Sequence, residues 1–198
     1  MPKSLYYKLG SHFLDLDDVI FIEKQLKKFP LESITIGDAG EINNCQVGRL
    51  MEDQPQSTPK ILNNSLSEPI LELYRTGTAQ SFFAPFLHQP DPQFIRRSQF
   101  NLLGSGSYVG RHLDIDSNPH YQVAAVLQLG STFSGGEFVV YPSPSDSYGD
   151  IQSISPEFGS LTISFCSSEH EVRPVLSGTR TSLVMFISND SSANQRIV

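Results

Sequence analysis

Long apolar runs are missing from this chain. No stretch approaches the ~18 consecutive apolar residues of a membrane span, so a spanning helix is not expected. Cysteine is scarce: Cys45 and Cys166 lie far apart and encode no disulfide framework. Cys166, closing the run Leu161-Thr162-Ile163-Ser164-Phe165, reads as a small buried thiol on a strand. Basic charge is in deficit, with 14 Lys and Arg against 21 Asp and Glu and a net charge of −7. That balance argues against a general attraction to nucleic-acid phosphates. Arg96-Arg97 is a short basic cluster, read as a solvated strand end. The first residues, Met1-Pro2-Lys3-Ser4-Leu5-Tyr6-Tyr7, lack the apolar core of a signal peptide. A cytoplasmic protein with no membrane or nucleic-acid partner is the expectation.

The 198 residues fit one domain with a substantial core. In residues 15–29, Val19, Ile22, Leu26 and Phe29 recur at helical spacing. Acids crowd the start of that segment and lysines its end, which complements the helix dipole, and Pro30 stops it. Residues 32–36 and 41–50 read as strands split by Gly37-Asp38-Ala39-Gly40, and 51–60 as a loop. A second helix is expected from an N-cap at Ser67 to about Arg75, ended by Gly77. From Phe94 the pattern is β, with short runs at 94–103, 122–129, 137–141, 160–166, 170–175 and 181–188. A polar loop is expected at Pro142–Gly149, and a polar, frayed tail from Asn189. The fold class is mainly β with flanking helices: a support region at 1–93, a double-sheet jelly-roll core at 94–188 and a tail at 189–198.

Three residues carry the chemistry. His112 and Asp114 are separated by one residue in Arg111-His112-Leu113-Asp114, and His170 lies in Glu169-His170-Glu171-Val172-Arg173-Pro174-Val175. On a strand, residues i and i+2 point to one side, so His112 and Asp114 can grip one ion if folding brings His170 alongside. Two imidazoles and a carboxylate on one face of a metal leave positions open for a co-substrate and O₂. A His-x-Asp pair alone is common and is usually an ordinary hydrogen-bonded pair. The order is more specific: the pair, the β-rich run 123–130, Ser134-Gly135-Gly136-Glu137-Phe138, the second His, then Arg180 ten residues on.

That order resembles the 2-oxoglutarate- and Fe(II)-dependent dioxygenases, especially the prolyl-hydroxylase-like branch, over residues 94–188. The resemblance implies a double-stranded β-helix core, Fe(II) held by His112, Asp114 and His170, and O₂ and 2-oxoglutarate as co-substrates. It assigns Arg180 to the distal carboxylate, which a guanidinium can hold with two parallel hydrogen bonds; Arg173 is a weaker rival. Gly178 is read as a turn before the last strand. Two family tyrosines are absent. Leu102 and Leu103 stand where one is expected, and Gln128 occupies the place of the other by ungapped counting. Tyr108 and Gln128 are therefore candidate pocket residues. Asp116 is a candidate substrate contact or a turn cap, Arg97 a weak substrate candidate, and His120 a weak rival ligand. Asp114 fills the place that related halogenases leave to halide, so the resemblance implies hydroxylation, with succinate and CO₂ released. The substrate is expected to be a free amino acid or a similar small molecule, with a peptidyl residue such as proline as the alternative. A non-catalytic jelly-roll metal-binding or interaction module is the reading from another class.

Overall fold

A computed structural model describes residues 4–37, 39–142 and 150–196. The expected loop at Pro142–Gly149 falls largely outside them.

The chain opens with β1 (Ser4–Tyr7) and α1 (Leu16–Leu26). Asp15 caps α1: its side chain accepts from the Asp18 amide while the Asp18 side chain accepts from the Asp15 amide. Val19 and Ile22 are fully buried on its inner face, as the periodicity predicts. β2 (Glu32–Ile36) and β3 (Ile42–Glu52) form a hairpin, followed by β4 (Lys60–Ile61). α2 (Asn64–Arg75) starts three residues before the expected place. Asn63, with φ of 50°, sets the turn into it, and Ser67 is a buried helical residue donating its hydroxyl to the Leu62 carbonyl. Gly77 does not end a helix but begins α3 (Gly77–Phe83), because Thr76 caps it through the Ala79 amide.

β5 (Phe94–Gly104), β6 (Val109–His112), β7 (Val123–Leu129), β8 (Phe133–Gly135), β9 (Phe138–Val140), β10 (Gln152–Ile154), β11 (Leu161–Phe165), β12 (His170–Val172) and β13 (Val175–Ser188) complete the chain. They make two sheets. The larger runs β1-β11-β7-β13-β5-β3-β2, with β4 paired to β3 and β8 to β13; the smaller runs β10-β9-β12-β6. The chain thus has a jelly-roll core, and strands from residues 4–61 widen its larger sheet.

Alternation along β13 shows what each face does. Leu183, Met185 and Ile187 join the core shared with α1, α2 and α3, while Arg180, Ser182, Val184 and Phe186 line a cavity on the other side. β13 begins at Val175, six residues before its expected start, and Gly178 sits inside it at φ of +75°. A Cβ on Gly178 would lie 2.1 Å from the Thr132 carbonyl oxygen. The glycine serves a close crossing near β8 rather than a turn before the strand.

Two further expectations change. Arg96 is not solvated: it is fully buried and its side chain holds both carboxylate oxygens of Asp53, at 3.0 and 3.2 Å. The tail is not frayed over its described part, since Asn194 is 1% exposed and donates to the Asp53 carbonyl. No helix among the described residues is long and apolar enough to cross a membrane.

Candidate active site

The cavity lies between the two sheets. β12 and β6 are antiparallel neighbours with His170 directly opposite His112, so sheet register brings together two imidazoles distant in sequence. Their ring centroids are 4.5 Å apart. His112 is the last residue of β6. Leu113 remains extended at φ −114° and ψ 133° before a 3-10 turn, Asp114–Asp116, begins. One extended residue suffices to turn His112 and Asp114 to the same side.

Each imidazole is fixed from behind. His112 Nδ1 lies 2.7 Å from the Gly110 carbonyl and His170 Nδ1 2.9 Å from the Ser168 carbonyl. Donation from Nδ1 to those acceptors leaves the Nε2 lone pairs for a ligand. His112 Nε2 lies 3.5 Å from Asp114 Oδ1, and His170 Nε2 3.6 Å from Asp114 Oδ2. One ligand atom from each residue falls within 4.8 Å of the others.

The residues fit a divalent metal and an organic anion. Asp114 Oδ2 is buried with no hydrogen-bond partner, an arrangement that costs free energy unless something binds there. Two nitrogens and one carboxylate oxygen are the donor set of non-haem iron. Arg180 is 4% exposed, and its Nε is likewise buried and unpartnered. Among the described residues, no carboxylate pairs with it. Burial alone pushes its guanidinium down to about 10, a cost that a bound carboxylate would offset. Gly136 makes room for that side chain: a Cβ there would meet Arg180 Cδ at 2.7 Å. The hydroxyls of Ser164 and Ser182, also facing the cavity, are buried without partners.

The structure places the other candidates unevenly. Arg97 lines the cavity. Tyr108 does not: it is 37% exposed, and its backbone is tied to the Asn43 side chain. Asp116 is exposed, because the 3-10 turn breaks the alternation that would have aimed it inward. Gln128 shares the face of Ala124 and Val126 but lies two residues beyond them, outside the cavity lining. Its amide nitrogen donates to the Leu129 and Thr181 carbonyls at 2.6 and 2.8 Å. His120 pairs with Asp190 at 2.9 Å, away from the triad. Arg173 is half exposed beside Glu171 and does not line the cavity.

Sequence reasoning missed the contact of Cys166 with Asp114, and it named Arg97 but not Gln99 and Asn101 of the polar row on β5. Cys166 is fully buried, and its thiol is pushed well above the ordinary range by burial, then by the charge of Asp114 and a hydrogen bond to it. Nothing in the sequence marks that contact. Arg97, Gln99 and Asn101 all face the cavity; polar residues at every second position of a strand were the available signal.

The family profile described as the 2OG-Fe(II) oxygenase superfamily matches residues 98–188. A PKHD-type hydroxylase of Shewanella baltica (strain OS185) is 38% identical over 98 residues, 46% of this chain and 42% of that protein. The chain thus spans less than half the length of the curated relatives it matches. A crystal structure of an oxidoreductase of the 2OG-Fe(II) oxygenase family from Burkholderia pseudomallei superposes with a TM-score of 0.90 at 34% identity, covering 98% of this chain and 89% of that one. A Trichoplax adhaerens prolyl hydroxylase, solved with a peptide fragment of the hypoxia inducible factor oxygen degradation domain, shares the fold. Its TM-score is 0.64 at 14% identity, over 94% of this chain and 84% of that one.

Proposed function

This chain belongs to the 2OG-Fe(II) oxygenase superfamily, and from that premise we propose that it hydroxylates an unactivated C–H bond of a small substrate, a free amino acid or a close derivative. The observation that carries the proposal is the pairing, in one cavity, of the His112–Asp114–His170 cluster with a buried, acid-free Arg180. Bound Fe(II) and 2-oxoglutarate supply the oxidising chemistry, consuming O₂ and releasing succinate and CO₂.

The chain's own residues do the rest. His112, His170 and Asp114 hold the metal, and the carboxylate offsets part of its charge. Arg180 holds the distal carboxylate of the co-substrate through its planar fork. Val126, Val172, Val184 and Phe138 line the walls and limit water around the reacting centre. The cytoplasm is the setting we assign, in keeping with the scarcity of cysteine in the sequence.

The cavity at the metal has a volume of about 70 Å³, and an adjoining chamber that shares Arg97, Gln99, Asn101, Leu103 and Val109 adds about 290 Å³. Room on that scale supports a small substrate. The competing reading is a peptidyl hydroxylase, the activity carried in the name of the Trichoplax neighbour. The test is a mass-spectrometric screen of free amino acids and short peptides for a gain of one oxygen, with succinate measured alongside. Succinate and oxygenated product should appear together, only with Fe(II) and 2-oxoglutarate, and should vanish in His170→Ala. Full turnover by His170→Ala would refute the metal assignment, and turnover of peptides alone would move the substrate to the competing class.

A further inference from the structure

Two guanidiniums line the metal cavity, and the co-substrate accounts for one. Resting on the reading above, we propose that Arg97 is the anchor for a carboxylate of the primary substrate, which makes the substrate class carboxylic acids rather than their neutral amides.

The other cavity-side arginine, Arg180, is rooted on the neighbouring strand. β5 and β13 are antiparallel, with Arg180 opposite Leu103 and Phe186 opposite Arg97. The two arginines therefore stand at opposite ends of one strand pair, six residues apart along it. At ~3.3 Å per residue their backbones are about 20 Å from each other. The two guanidiniums are thus rooted at separate ends of the cavity wall, Arg180 beside Gly136 and Arg97 beside Gln99 and Phe186.

The Arg97 head group is also held at its own end. Its Nε and one terminal nitrogen donate to Gln99 Oε1 at 3.1 and 3.0 Å, and its central carbon lies 5.7 Å from the centroid of the Phe186 ring. Gln99 is fixed in turn, donating to Asn101 Oδ1 at 2.7 Å. Two of five N–H groups are thus spent on orientation, and the rest remain for a ligand.

Of the six other arginines, five lie beside acids: Arg49 with Glu32, Arg75 with Glu68 and Glu72, Arg96 with Asp53, Arg111 with Glu169, and Arg173 with Glu171; Arg196, near the chain end, is the sixth. Among the described residues, the two guanidiniums facing the cavity have no such pairing. Gln99 Oε1 also draws Arg49 Nη1 to 3.4 Å, while Arg49 itself is paired with Glu32. An arriving carboxylate would find a preset fork with an aromatic face behind it.

The test uses the full chain loaded with Mn(II) and saturating 2-oxoglutarate, with acetate and acetamide as probes. Mn(II) broadens the proton signals of any small molecule bound in the cavity. Acetate should be broadened at millimolar concentration and acetamide at least about tenfold less, the equivalent of ~1.4 kcal/mol. Arg97→Gln should abolish the difference, Arg97→Lys should retain part of it, and 2-oxoglutarate itself should stay broadened in both. No acetate broadening in the wild-type chain, or equal broadening in Arg97→Gln, would overturn the proposal. Failure of 2-oxoglutarate to be broadened at all would instead strike the wider reading. In the substrate screen, equal turnover of acids and their amides would also overturn the anchor.

Discussion

Arg180 spends its unliganded life as a buried cation without an acid. Burial lowers its pKa from the ordinary guanidinium range to about 10, which corresponds to roughly 3 kcal/mol disfavouring the charged form. Below pH 10 the guanidinium is charged in folded and unfolded chains alike, so the folded state bears that cost throughout the physiological range. Arg180→Met should therefore raise the melting temperature of the metal-free protein while removing the added stability that 2-oxoglutarate confers. Calorimetry with and without the co-substrate checks both parts, and a lower melting temperature without ligand would contradict the first. Arg180→Ala should raise the KM for 2-oxoglutarate far more than that for the main substrate, with a cost of about 3–5 kcal/mol for a carboxylate left unpaired. The three metal-site candidates were legible in the sequence because one extended residue, Leu113, is enough to align His112 with Asp114. Asp116 was legible only as one of two alternatives, substrate contact or turn residue, and it lies exposed in the 3-10 turn. Gln128 was misjudged because period-2 reasoning gives the face of a strand but not the depth along it.

A glycine just past the end of β8 shapes the site at the level of elements. Gly136 has φ of +71° and abuts Arg180 Cδ. A methyl group there can be accommodated only by displacing that flexible side chain. Gly136→Ala should raise the KM for 2-oxoglutarate while leaving Mn(II) affinity within about twofold, a change under ~0.5 kcal/mol. Isothermal titration of each ligand separates the two, and equal loss of both would show general misfolding instead. The strands of the core were readable because short apolar runs alternate with Gly, Pro, Ser and Asp. The start of α2 was not: Ser67 has the chemistry of a cap, but Asn63 in a left-handed conformation supplies the turn. The true extent of β13 was hidden because Ser177-Gly178-Thr179 reads as a turn, although β8 and β5 both pair with it there.

At the scale of the molecule, one buried acid joins distant parts. The Asp53 side chain is fully buried, holds Arg96 at the head of β5, and accepts from Asn118 Nδ2 at 2.7 Å just after the metal-site turn. Its carbonyl accepts from Asn194 near the end of the described chain. Removing one partner of a buried pair strands the other charge. Asp53→Ala should therefore cost about 3–5 kcal/mol in denaturant unfolding, and adding Arg96→Met should recover part of it. A loss below about 1 kcal/mol in the single variant would show that the network is not holding the parts together. None of this could be read from sequence, where Arg96 and Asp53 are two ordinary charges separated by a loop and two helices. The larger sheet carries one more consequence. Its central strand, β13, follows the other described strands in sequence, and β5 and β7 on either side of it are joined through it. A ribosome emitting this chain therefore releases halves of a sheet that must wait for residues 175–188 before they can close. Folding is thereby dominated by contacts distant in sequence, which makes it slow.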